Sequence, residues 1–197
     1  MKILKTFLLI AFVCFFINAV NLIKNSYVLT KEYAVTIKGT SNIHAWTEKV
    51  ETVSGDGVVN WNSDGTFDLF SINIKMNVHS IKSDMGSIMN NNTYKALKAD
   101  DHPEIIFTLT SPINSIPGQA NEKAIVAKGN LTIAGVTKAI ELQTKVFISD
   151  KTKLAFEGSE TINMSDYGIK PPTALLGTLK TGNAITITFK TNFTLKN

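Results

Sequence analysis

The chain has 197 residues, 44% hydrophobic and 18% charged, which is enough apolar material for one cored domain and excludes a disordered polypeptide. The formal charge is +4, Lys2 and Lys5 lie at the extreme N-terminus, and all 20 basic residues are lysines. A near-neutral remainder without arginine has no bidentate fork for phosphate or guanine, so no nucleic-acid partner is expected.

The N-terminal segment differs from the rest. Lys2 and Lys5 precede an unbroken apolar run from Phe7 to Ile17, followed by Asn18 and Ala19. This is the layout of a secretory signal over residues 1–19, with cleavage expected after Ala19 and a periplasmic or secreted product. The alternative is an uncleaved anchor, but the run is shorter than the ~20 apolar residues of a spanning helix. No stable membrane insertion is therefore expected after cleavage. Cys14, the single cysteine, sits inside the run; Phe15, Phe16 and Ile17 continue beyond it, which argues against lipidation. Removal of the signal leaves no disulfide, no thiol nucleophile and no thiolate metal ligand. Residues 20–26 read as a polar lead-in.

From Tyr27 onward the pattern has period two, the mark of strands with one buried face. Tyr33/Val35/Ile37, Trp46 to Val53 and Val58 to Trp61 come first. The clearest run places Phe70, Ile72, Ile74, Met76 and Val78 on one face and Ser71, Asn73, Lys75, Asn77 and His79 on the other. Between Ser83 and Leu97 the rhythm changes: Met85, Ile88, Met89 and Leu97 have helical spacing, with Ser83 or Asp84 as the expected cap. Alternation resumes at Ile105/Phe107/Leu109, Leu131/Ile133, Ile140/Leu142/Val146 and Leu154/Phe156. It closes with Ile185, Ile187, Phe189 and Phe193. Tight reversals are expected at Gly55-Asp56-Gly57, Ser63-Asp64-Gly65 and Ala134-Gly135-Val136-Thr137. Eight or nine short strands joined this way form an antiparallel sheet. Period two does not distinguish a barrel from a sandwich, but closure removes the exposed edges of an open sheet. The expected fold is an all-β, eight-stranded, lipocalin-like barrel with one short helix between central strands.

Four segments carry a more specific signal: "LKADDHPEIIFTLTS" (97–111), "GNLTIAGVTKAIEL" (129–142), "IKGTSNIHAWTEKV" (37–50) and "DYGIKPPTALLGTLKTG" (166–182). Together they resemble the YceI-like, polyisoprenoid-binding family over about residues 27–195, the second match being the most specific. The domain is taken as 27–197. The resemblance implies an exported eight-stranded barrel holding a long isoprenoid tail, of polyprenyl or quinone type, in an apolar tunnel. It implies a periplasmic carrier or buffer, with no enzyme activity and no cofactor. The chain departs from the commoner family pattern in "GTSNIHAW", where an aspartate–histidine–serine opening is more usual. It departs again at Met164-Ser165, where a basic residue is often found.

The ligand-binding candidates are the inward faces: Phe70, Ile72, Ile74, Met76, Val78, Phe107, Leu109, Leu142, Phe156, Ile187 and Phe189. His44 and Trp46 are candidates for a head group at the barrel mouth. The residues alone leave open whether these side chains line a cavity or fill the interior. In the second case the chain would be a structural barrel that meets a protein partner through the long 169–182 segment, stiffened by Pro171-Pro172 with glycines at 177 and 182. A third possibility is an enzyme using His44 as acid/base. His44, His79 and His102 lie too far apart in sequence for an evident zinc site. Asp100-Asp101 or Glu157/Glu160 could be read as paired carboxylates, but adjacent acids in turns are usually solvated. No G-x-S-x-G, P-loop or Gly-rich dinucleotide motif is present. The oligomeric state is left open.

Overall fold

The computed structural model describes residues 24–119 and 121–196; the expected signal lies outside the described residues. The elements in chain order are β1 (Lys24–Ser41), β2 (Ala45–Val50), β3 (Val53–Trp61), β4 (Thr66–Asn77), β5 (Ile81–Ser83), α1 (Ser87–Ala96), β6 (Glu104–Leu109) and β7 (Ile113–Pro117). They continue as β8 (Lys123–Ile133), β9 (Val136–Asp150), β10 (Lys153–Asn163), β11 (Thr173–Ala174) and β12 (Leu179–Leu195). Short 3-10 turns lie at Val78–Ser80, Met164–Tyr167 and Leu175–Gly177.

The alternation makes a sheet, and the pairing of its first and last long strands makes the sheet a barrel. Strands β1, β3, β4, β6, β8, β9, β10 and β12 follow one another antiparallel around the wall. β12 then pairs with β1 from Tyr27↔Leu195 to Ser41↔Thr181, closing the ring. The expected eight-stranded barrel is therefore the fold. The long β1 is shared by two neighbours: Lys24–Val28 pair with β3, and Thr36–Thr40 pair with β2. β5 extends beyond β2, β7 lies beside β4, and β11 makes a two-residue pairing with the start of β12.

The hairpins follow their turn chemistry. At Ala134-Gly135, φ values of 49° and 81° make the two-residue turn between β8 and β9, the positive-φ geometry that matches strand twist. At Ser63-Asp64-Gly65, Asp64 accepts from the Thr66 amide at 2.9 Å and Thr66 closes the turn by accepting from the Asn62 amide.

Several expectations need correction. Gly55-Asp56-Gly57 is not a reversal but the middle of β3, paired with Ile72–Ile74 of β4. Its glycines make room for their neighbours: a Cβ on Gly55 or Gly57 would lie 2.7 Å and 2.9 Å from the Cδ1 atoms of Ile74 and Ile72. The run from Trp46 to Val53 is broken at Glu51-Thr52, where the chain leaves β2 for β3. The expected lead-in ends early, because β1 begins at Lys24. The helix starts at Ser87 after Gly86, whose φ of 89° suits glycine, and no side chain caps it. Ser83 belongs to β5; its amide donates to Asn90 Oδ1 at 2.8 Å, tying the helix to the strand from the other direction.

One end of the barrel is sealed by large side chains. Phe67 is fully buried against Trp61, with ring centroids 4.9 Å apart. Trp61 Nε1 donates to the Tyr27 hydroxyl at 2.9 Å, and that hydroxyl donates to the Lys151 carbonyl. Phe156 and Phe193 meet edge to face behind them, 5.6 Å apart. α1 and the 169–182 segment lie toward the opposite end.

Candidate functional site

The strand faces that point inward do not fill the barrel. Ile72, Ile74, Leu142, Ile187 and Phe189 all face the interior yet keep partial accessibility, because what they meet is free space. The larger chamber, about 100 Å³, is apolar except for Thr144, Glu160 and Thr191. A smaller chamber of about 70 Å³ lies under α1. Ile187 is in the lining of both, so the two chambers are neighbours across that residue. From Ile185 to Phe193, at about 3.3 Å per residue and a tilt of about 40°, the lined part of β12 advances roughly 20 Å along the axis. The larger chamber ends against the sealed aromatic cluster.

A glycine shapes its wall. Gly129 faces inward on β8, and the Phe107 ring lies over it; a Cβ there would sit 2.3 Å from Phe107 Cε2 and 2.7 Å from the Thr108 carbonyl. Gly129→Ala must push Phe107 into the chamber. It is expected to destabilise the fold by about 1–3 kcal/mol, read as a lower urea midpoint. An unchanged midpoint would show that the wall is not packed this way. Elsewhere the wall is incomplete: the β9–β10 ladder ends at Thr144↔Gly158, although β10 continues to Asn163 and β9 starts at Val136. Glu160 lies on the stretch of β10 that pairs with β12 but not with β9, its carboxyl raised above the usual range by burial.

The smaller chamber is capped by Met89, Thr93 and Ala96 of α1 and by Pro172 and Thr181 of the closing segment. That segment is ordered by hydrogen bonds: the Thr181 amide donates to the Pro172 carbonyl at 3.1 Å, and Asn42 Nδ2 donates to the Thr178 carbonyl at 2.9 Å. It thus serves as a cover for one barrel end. On the inward face of β2, Trp46 and Val50 flank Glu48, which is only 2% exposed. Trp46 lies flat over Gly39 and donates from Nε1 to the Thr40 carbonyl at 3.1 Å. Glu48 Oε1 accepts from the Thr93 hydroxyl at 2.6 Å.

Burial raises the Glu48 carboxyl above its ordinary range, and the Thr93 hydrogen bond opposes this only in part. The folded chain therefore holds a proton at pH values where the unfolded chain has released it, and stability falls as pH rises through that interval. Glu48→Gln cannot ionise. Its melting temperature relative to wild type is expected to be more favourable at about pH 8 than at about pH 4, and an equal difference at both would contradict this.

The sequence-derived candidates divide as follows. Ile72, Ile74, Met76, Phe107, Leu109, Leu142, Phe156, Ile187 and Phe189 lie in the wall of the larger chamber, and Trp46 in that of the smaller. Phe70 does not line either. A β-bulge inserts Phe70 and Ser71 between the inward-facing Leu69 and Ile72, so Phe70 turns away and carries the Lys24 ammonium 4.7 Å from its ring centroid. Val78 is buried but sits in the 3-10 turn beyond β4, outside both chambers. His44 is exposed at the β1–β2 turn, its Nδ1 3.0 Å from the Ala45 carbonyl oxygen. His79 stands 3.7 Å from Asp100 and against Tyr94, while His102 covers Gly135. Glu157 pairs with Lys190 at 2.5 Å, on the face opposite Glu160. Among the described residues no group of three or more His, Cys, Asp or Glu is placed to hold a metal ion, and no helix is long and apolar enough to cross a membrane. Glu48, Met89 and the inward residues Val35 and Ile140 were not among the candidates.

The molecule is thus a closed antiparallel barrel with two apolar chambers inside it, one lined by Phe156 and Phe193 and the other lying under α1. Residues 27–193 match the YceI-like domain, and the chain belongs to that family. Its fold is shared with a polyisoprenoid binding domain from Saccharophagus degradans implicated in plant cell wall breakdown (TM-score 0.68, 13% identity, covering 87% of this chain and 99% of that one). It is also shared with Burkholderia cenocepacia BcnA (TM-score 0.58, 17% identity, 81% and 95% covered). A Campylobacter jejuni YceI protein is similar at TM-score 0.58 and 18% identity, with 76% and 84% covered. No curated protein matches the chain.

Proposed function

We propose that the barrel binds the chain of a long isoprenoid lipid, of polyprenyl or quinone type, and serves as its carrier or buffer in the periplasm. The observation that carries this is the pair of apolar chambers that share Ile187 in their lining, which we read as one tunnel for the chain. The name of the Saccharophagus degradans domain supports the ligand class. The signal-like layout of residues 1–19 supports export. Apolar walls suffice to hold such a chain. Each methylene removed from water contributes about 0.8 kcal/mol, so a few isoprene units offset an association cost of about 4–15 kcal/mol. The free space is narrow for a branched chain. Uptake therefore requires the lining to move, and Met76, Met89 and Met164 are the unbranched side chains able to do so.

The filled-barrel alternative leaves the two chambers without a role. Titration with geraniol, farnesol and geranylgeraniol distinguishes the two readings. Affinity should rise about tenfold or more with each added isoprene unit until the tunnel is full. Affinity that does not change with chain length, or no binding at all, would overturn the proposal. Cell fractionation tests the location, with recovery in the periplasmic fraction expected and retention in the cytoplasm contradicting it.

A further inference from the structure

Both chambers are apolar over most of their lining, and each has a single acid: Glu160, half-buried, in the larger, and Glu48, buried, in the smaller. Glu48 is the only acid lining the smaller chamber among the described residues, and no lysine or histidine lines it. The residue is 2% exposed. Oε1 is satisfied by the Thr93 hydroxyl at 2.6 Å. Oε2 has no hydrogen-bond partner among the described residues, yet it is not sealed, since no buried side-chain oxygen or nitrogen there is left unsatisfied. That accessible oxygen belongs to a residue of the chamber's lining. If Glu48 served only to hold α1 to β2, its second oxygen would have no use, and burying an acid is costly unless its polar atoms are met.

We infer that Glu48 receives the polar head of the lipid held in the tunnel, and that it accepts an uncharged, hydroxyl-bearing head in preference to a phosphate or diphosphate. The inference rests on the tunnel reading above and adds the orientation: head under α1, tail toward the aromatic seal. A hydroxyl can both donate and accept, so it matches the free oxygen in either protonation state of the acid. A phosphate brings negative charge into a water-poor chamber that offers it a carboxyl and no cation. Asn92 and Thr181, also in the lining, are neutral and do not change that balance.

The test compares geranylgeraniol, geranylgeranyl diphosphate and the isoprenoid hydrocarbon of the same length, each titrated against wild type, Glu48→Gln and Glu48→Leu. Wild type is expected to bind the alcohol at least about tenfold more tightly than the hydrocarbon, and the diphosphate most weakly. Glu48→Gln should retain the preference for the alcohol, because an amide still pairs with a hydroxyl. Glu48→Leu should bind alcohol and hydrocarbon equally. Equal binding of alcohol and hydrocarbon by wild type would overturn the inference, as would tightest binding of the diphosphate or an alcohol preference that survives in Glu48→Leu. All three outcomes leave the tunnel reading standing. Failure of wild type to bind any of the three would overturn both. The wild-type series alone decides the point if Glu48→Leu does not fold.

Discussion

Ile187→Trp is expected to weaken the binding of geranylgeraniol by about a hundredfold while leaving geraniol nearly unaffected. Ile187 lines both chambers, and an indole there closes the route that the proposed tunnel takes between them. A ligand short enough for one chamber does not need it. A longer one loses most of an isoprene unit of burial, about four of its five carbons at ~0.8 kcal/mol each, or ~3 kcal/mol. The added bulk strains the fold by about 1–3 kcal/mol, so the denaturation midpoint must be measured alongside binding. A folded Ile187→Trp protein with wild-type affinity for geranylgeraniol would show that the chambers do not work as one tunnel.

The largest effect on stability is expected at the sealed end. Phe67 has no exposed surface and packs its ring 4.9 Å from that of Trp61. Phe67→Ala removes most of that side chain from a region with nothing to collapse into it. The expected loss is about 3–5 kcal/mol. For a chain of this size that corresponds to a fall of roughly 6–20 °C in Tm. Urea denaturation gives the free energy directly. A loss under about 1 kcal/mol would mean that the aromatic cluster is not a packed seal.

Much of this architecture is legible in the sequence because period two is a strong signal wherever one face meets a core. Ile72/Ile74/Met76, Phe107/Leu109 and Ile187/Phe189 are placed on the inward face by alternation alone, and the structure has them there. The bulge at Phe70-Ser71 leaves no such mark. It adds one residue to β4 but not to β3, so a run that looks continuous from Phe70 changes face between Leu69 and Ile72. Gly55-Asp56-Gly57 carries the composition of a turn, and only the Ile72 and Ile74 side chains of the neighbouring strand explain why it is a strand instead. Glu48 is hidden for a related reason. An acid between Trp46 and Val50 fits alternation only if it is buried, and its environment is completed by Thr93, distant in sequence on α1. Val78 is apolar and correctly buried, but the chain has already left the barrel wall there. Whether the interior is open lies beyond any pattern, because it depends on side-chain volumes contributed by eight separate strands.

Native mass spectrometry of the protein purified from its own host asks whether this barrel carries a long isoprenoid lipid. A mature chain beginning after Ala19 is expected, accompanied by a bound species whose extracted mass is that of a polyprenyl or quinone lipid. A bare chain from repeated gentle preparations, with no affinity for added isoprenoids, would contradict it.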